Sequence, residues 1–241
     1  MLFQNPLQPV VPAVRRLEEM IDVLYRGEED VKVDEDPGRE LYYMYRDLYL
    51  PEDKDSFESW GIRYDITVLL PGKIGREYIK TAGHYHPTKP GSDATYPEVY
   101  EVLYGQAKYL LQKPYDLKNP RQGLEKVILV EATRGDKVLI PSGFGHVTIN
   151  SSSDYLIMGN LVAREFSSLY EPMQQMGGAG YFCLSAGVND ETTQFIPNSS
   201  YAALPPLIQC SPADHHPFPL KKEISLYQSF LESPQDLSFL V

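Results

Sequence analysis

Cysteine is nearly absent from this chain: Cys183 and Cys210 are the only two in 241 residues. Two thiols are too few for a disulfide framework and show no metal-ligand spacing, which excludes a disulfide-stapled secreted scaffold and fits a reducing cytosol. Positive charge is also scarce, with 22 Lys+Arg against 33 Asp+Glu and a formal net charge of -11. Phosphate backbones and anionic membrane surfaces are bound by clustered cations, so neither nucleic acid nor membrane is an expected partner, and an anionic substrate has to be held locally. Long apolar runs are missing as well. Met1 to Val14 is interrupted by Pro6, Pro9 and Pro12 and predicts neither a signal peptide nor a membrane span. No Gly-x-x-x-x-Gly-Lys-Ser/Thr motif occurs, so a phosphate would be recognised without a P-loop. What is plentiful is tyrosine, 18 against 6 methionines, within a chain that is 42% hydrophobic and 12% aromatic. That supplies a core, and aromatic rings suit the half-buried surface of a pleated sheet.

Val14, Leu17, Ile21 and Leu24 recur at spacings of three and four beside Arg15, Arg16, Glu18 and Glu19, which predicts a helix over 13–25 ended by Gly27. Leu41 to Leu50 reads as a first strand and Pro51 to Ser59 as a charged loop. Short β-rich runs then follow quickly: Ile62 to Leu70, Glu77 to Thr81, Glu98 to Tyr104, Ala107 to Gln112, Lys126 to Glu131, Lys137 to Ile140, Val147 to Asn150, Tyr155 to Val162 and Tyr181 to Ser185. Gly, Pro, Asn, Asp and Ser separate them, and this rhythm predicts a closed or double-sheet all-β structure rather than βαβ units. Trp60 and the Tyr42, Tyr43, Tyr45 cluster read as core or subunit interface. From Leu204 onward the composition turns to proline and polar residues, giving an extended arm with a short helix near Ile224 to Leu231, in which the adjacent His215 and His216 read as surface residues.

The chemistry centres on Thr81-Ala82-Gly83-His84-Tyr85-His86. Residues two apart on a strand share a face, so His84 and His86 form half of a metal site while Tyr85 points away. Glu98 and His146 are the expected other half, with Glu101 the alternative carboxylate. Glu98, Tyr100 and Val102 share one face of their strand and Val99, Glu101 and Leu103 the other, so only one of the two acids can face the imidazoles. Three neutral imidazoles and one carboxylate suit a borderline divalent ion.

Two spacings give a family resemblance. Gly135, Pro141, Gly143, His146 and Asn150 stand at the intervals of the second cupin motif, and His84-x-His86, Glu98 and Gly105 supply the elements of the first, with eleven residues, Pro87 to Pro97, between His86 and Glu98, several more than that motif normally has. Thr67-Val68-Leu69-Leu70-Pro71-Gly72-Lys73-Ile74-Gly75, followed by Thr81-x-Gly83-His84-x-His86 and Glu98-Val99-Tyr100, resembles the cupin-type phosphoglucose isomerases. The resemblance implies a cupin double-stranded β-helix (jelly-roll) barrel over 61–186, preceded by an N-terminal helix and outer strand (1–60) and followed by a C-terminal extension (187–241). It further implies a cytoplasmic homodimer and a metal-dependent aldose-ketose isomerase of glycolysis and gluconeogenesis, interconverting glucose 6-phosphate and fructose 6-phosphate. One divalent ion per subunit, Fe, Mn, Ni or Zn, would be held by His84, His86, Glu98 and His146. In this reading Glu98, as a carboxylate of raised pKa, is the general base and Tyr100 contacts the sugar, while Thr67, Thr81, Gly83 and Lys73 bind the phosphate. The family's histidine after the second motif has no counterpart, and Tyr170 is expected to serve in its place. A metal-dependent cupin dioxygenase and a non-catalytic sugar-binding cupin are the alternatives.

Overall fold

A computed structural model describes residues 10–27, 36–165, 167–187, 190–215 and 220–241. In chain order the strands are β1 (Ala13–Arg16), β2 (Glu40–Tyr45), β3 (Ile62–Leu69), β4 (Lys73–Ile74), β5 (Glu77–Tyr78), β6 (Glu98–Tyr104), β7 (Gln106–Pro114), β8 (Leu124–Thr133), β9 (Lys137–Ile140), β10 (Gly145–Ile149), β11 (Leu156–Ala163), β12 (Tyr181–Gly187), β13 (Asp190–Pro197) and β14 (Leu207–Cys210). Among the described residues three short α-helices accompany them, α1 (Lys54–Ser59), α2 (Glu171–Gln175) and α3 (Leu226–Glu232). One sheet runs β1-β2-β3-β11-β6-β9, a second β10-β7-β8-β14 and a third β13-β12-β5-β4.

Alternation along each strand explains the layering. On β6, Tyr100 and Val102 turn inward, and on β7, Tyr109 and Leu111 meet them, so the first two sheets close on a shared core that includes Leu69, Val138 and Met158. The opposite side chains face outward in the other direction. Leu110, Val127, Val147 and Ile149 pack under the third sheet and α2. Val99, Leu161, Ile62 and Tyr64 pack under α1, α3 and the C-terminal 3₁₀ turn. The closed, double-sheet all-β architecture expected from the strand rhythm is present, and β6 and β9 have the bounds read from the sequence.

The N-terminal helix is not. Ala13–Arg16 is instead a strand paired antiparallel with β2, and Leu17–Glu19 and Ile21–Val23 are single 3₁₀ turns. Of the buried residues there, Leu17, Met20 and Val23 are spaced by three and Leu24 follows directly, whereas Ile21 is exposed. A spacing of three is the 3₁₀ period, and the polar strand edge of β2 offered Ala13 to Arg16 hydrogen bonds that an isolated helix start does not. Pro51 to Ser59, read as a loop, contains a 3₁₀ turn and α1. Its one buried apolar side chain, Phe57, stacks at 4.5 Å centroid distance on Phe230, a partner that local periodicity cannot reveal.

The C-terminal stretch folds back. β14 pairs in parallel with β8, and α3 covers the first sheet; its N-cap Ser225 accepts from the Gln228 N–H. The side chains of His215 and His216 lie outside the described residues.

Candidate metal centre and substrate cavity

Backbone pairing brings the four expected ligands together. His84 and His146 exchange both N–H···O bonds, 3.2 and 3.0 Å, as one antiparallel bridge, which sets their side chains on the same face. His146 sits on β10 opposite Leu111 of β7, on the inward side of the second sheet. Glu98 sits on β6 opposite Val162 of β11 and Ile140 of β9, on the inward side of the first. The metal-type cluster thus spans the barrel between its two sheets. Gly83 adopts φ +76, where L side chains are strained, and a Cβ there would lie 2.5 Å from Met173 Sδ and Val147 Cγ2. Glycine is therefore required for the chain to reach His84 at this depth.

One donor atom from each of His84, His86, Glu98 and His146 lies within 4.8 Å of the others. The Nε2 atoms of His86 and His84 are 3.2 Å apart and those of His146 and His84 3.3 Å, while Glu98 Oε2 is 3.3 Å from His86 Nε2 and 3.2 Å from His146 Nε2. His86 Nδ1 is 2.7 Å from the Tyr96 carbonyl; a carbonyl only accepts, so Nδ1 carries the proton and Nε2 presents its lone pair. Lone pairs and a carboxylate converging at such distances repel unless a cation lies among them, so the donor set fits a divalent ion. Glu101, the alternative carboxylate, points outward, accepting from the Leu226 N–H at 2.6 Å and pairing with Lys137 at 3.3 Å.

Burial is the first cause that drives His84 well below the ordinary imidazole range, with His146 and His86 adding to it. Burial also lowers His146, against the opposing pull of Glu98. For Glu98 burial acts upward, but the adjoining imidazoles of His146 and His86 outweigh it and hold the carboxyl well below its usual range. The raised carboxyl pKa expected for a proton shuttle is therefore not found, and Glu98 is ionised at neutral pH. Asn160 Nδ2 donates to Glu98 Oε1 at 2.6 Å and fixes it. Burial, then the nearby Glu98, pushes the Tyr100 phenol well up, so that it remains a neutral donor.

A cavity opens beside the cluster, lined by Thr67, Thr81, Gly83, Tyr100 and Tyr170. Thr81 Oγ1 accepts from the Thr148 N–H at 2.9 Å. The Tyr170 ring lies 5.4 Å from His84 and 5.5 Å from the Arg15 guanidinium. Lys73 is not brought in: its Nζ lies 5.8 Å from the centre of the Tyr78 ring. Residues that the motifs did not point to also line the cavity, namely Arg46, Arg63, Asp65, Asn160, Ser168 and Tyr42, the last accepting from the Ala82 N–H at 3.2 Å. A signal for two of them existed, since Arg63 and Asp65 stand four and two residues before Thr67 on one strand and share its face.

A family model described as "Glucose-6-phosphate isomerase (GPI)" matches residues 14–198. Among curated relatives, a glucose-6-phosphate isomerase of Thermococcus litoralis is 30% identical over 165 residues, 68% of this chain and 76% of that protein. Another, from Pyrococcus abyssi, is 30% identical over 146 residues, 60% of this chain and 66% of that protein. A solved oxalate decarboxylase of Lactobacillus farciminis in a formate complex aligns at 18% identity and a TM-score of 0.38, over 54% of this chain and 31% of that one.

Proposed function

The chain belongs to the glucose-6-phosphate isomerase family, and from that membership we propose that its cavity interconverts glucose 6-phosphate and fructose 6-phosphate with one divalent ion held by His84, His86, Glu98 and His146. The observation that carries the placement is the convergence of those four donors beside a polar cavity containing Thr67, Thr81 and the Gly83 backbone. When bound, a divalent ion there supplies Lewis-acid stabilisation of charge on substrate oxygens.

The side chains do the rest. Threonine hydroxyls and a backbone N–H are donors suited to phosphate oxygens, and they fix the far end of the open-chain sugar so that C1 and C2 lie near Glu98. Ionised and held by Asn160, Glu98 accepts the proton from C2 of the aldose and returns it to C1, by way of a cis-enediol. Tyr100, kept protonated, offers an O–H to the reacting oxygens. Tyr170 closes the side next to His84, in the position where the family's histidine has no counterpart. A homodimer belongs to the same proposal, and sedimentation velocity is expected to return twice the chain mass.

A coupled assay for fructose 6-phosphate conversion, run before and after chelation and with single ions added back, tests the reading. Activity that is lost to chelator and restored by one of Fe, Mn, Ni or Zn is the expected result; activity indifferent to chelation would remove the metal from the mechanism. In deuterated water, label entering C1 or C2 of the product supports Glu98 as base, and its complete exclusion would replace proton transfer by a hydride shift.

A further inference from the structure

Thr67, Thr81 and Gly83 offer a phosphate hydrogen bonds but no charge. The chain carries a net -11, so a dianion approaches against the field of the molecule unless a cation stands at the cavity. Lys73 is placed elsewhere, and two guanidiniums line the cavity instead, those of Arg46 and Arg63. Their positions follow from strand register. Met44 of β2 lies opposite Thr67 of β3 and Tyr45 opposite Ile66, so Arg46, the next residue, arrives beside Asp65.

Asp65 is 4% exposed and is gripped from three directions. Arg63 Nε donates to Oδ2 at 3.0 Å, the Asp47 N–H to Oδ1 at 2.8 Å, and Arg46 Nη1 to Oδ2 at 3.4 Å. Arg63 spends a further donor on the Arg164 carbonyl at 3.0 Å. Arg46 is held differently. One edge meets Asp65, Nη2 faces, among the described residues, only the weak acceptor Met44 Sδ at 3.4 Å, and its side chain is 44% exposed. A guanidinium has five donors in a rigid fork that matches phosphate oxygens. Asp65 therefore aims Arg46 without consuming it.

We propose that Arg46 is the residue by which this site selects a phosphorylated sugar over its unphosphorylated counterpart, pairing its guanidinium with the phosphate dianion, and that Asp65 is the positioning residue that aims it. The sugar in this statement rests on the isomerase reading; the phosphate contact does not depend on turnover.

Titration calorimetry on the metal-loaded full chain, with glucose 6-phosphate, glucose and inorganic phosphate as separate probes, tests it with Arg46→Met and Arg46→Lys. Arg46→Met is expected to weaken glucose 6-phosphate and inorganic phosphate about ten- to a hundredfold, the loss of a charge-assisted contact. Glucose affinity and metal content stay unchanged, Arg46→Lys recovers part of the loss, and KM rises with little change in kcat. Undiminished phosphate affinity in Arg46→Met would overturn the inference. So would an equal loss for glucose and glucose 6-phosphate, or a wild-type protein that does not distinguish them. The two readings fail separately. A chain that binds glucose 6-phosphate through Arg46 yet never converts it refutes the isomerase and keeps the contact; normal turnover with Arg46→Met kinetics unchanged does the reverse.

Discussion

His84 and His146 are bases that burial keeps uncharged, and the sign of that effect sets how the protein responds to acid. Their folded values lie below the unperturbed 6.5, so the unfolded chain binds more protons than the folded one as pH falls through that value. Stability of the metal-free protein must then decline on acidification, while at higher pH both states are neutral at these rings and the contribution is flat. Thermal melts of chelator-stripped protein between about pH 8 and pH 5, a range that spans the imidazole titration, should show Tm level and then falling. A Tm that rose towards acid would contradict the burial argument. At Thr81 the oxygen already accepts from the Thr148 N–H while its own proton remains to give. Thr81→Ala should raise KM about tenfold, the worth of one hydrogen bond to a charged group, and lower kcat less; steady-state kinetics decide it. Glu98 and Tyr100 were legible as residues, but the direction of the Glu98 shift was not, because it comes from two imidazoles that are distant in sequence.

Among the elements, β9 and the segment before α3 are joined through one buried cation. Lys137 Nζ donates to the carbonyls of Gly135, Lys221, Lys222 and Ile224 at 2.7 to 3.2 Å and pairs with Glu101 at 3.3 Å. Replacing it with Met takes the cation from the buried Glu101, which keeps, among the described residues, only the Leu226 N–H, and the Nζ donors from the four carbonyls, a loss of about 3–5 kcal/mol for a broken buried pair. A urea midpoint lowered to match, with faster amide exchange over 221–226, is the expected result for Lys137→Met; a midpoint within error of wild type would show the arm is held by its apolar contacts alone. Strand alternation made Glu98 and Glu101 alternatives in the sequence, and the element that Glu101 anchors is what separates their duties. The long connection from Pro87 to Pro97 is likewise used rather than idle: the Tyr96 carbonyl within it fixes the tautomer of His86, and Lys89 Nζ donates to the Phe239 carbonyl at 2.6 Å.

For the whole molecule, the stretch set apart in sequence as an extension covers one face of the first sheet. Leu226, Phe230, Leu237 and Leu240 are fully buried against Phe57, Val99 and Leu161. At about 1.5–3 kcal/mol for each buried side chain, these four contribute an amount comparable with the roughly 5–15 kcal/mol net stability of a folded domain. A chain truncated after Pro205 should therefore lose cooperative unfolding and aggregate instead of leaving an active barrel, as circular dichroism melts and size-exclusion chromatography would show; a folded, active truncation would mean that the core between the two sheets suffices alone. In the sequence by itself, the alternation of apolar and polar residues fixed most strands, because it is a periodicity of a single backbone, and the family resemblance carried by the His-x-His, Glu and Gly-Pro-Gly-His spacings named the four converging donors. Only the tertiary structure decided that the first segment pairs as a strand, that the tail seals the outer face, and that Arg46 and Asp65 rather than Lys73 stand at the cavity. Each of these depends on which strand lies beside which, and no local window of residues contains that information.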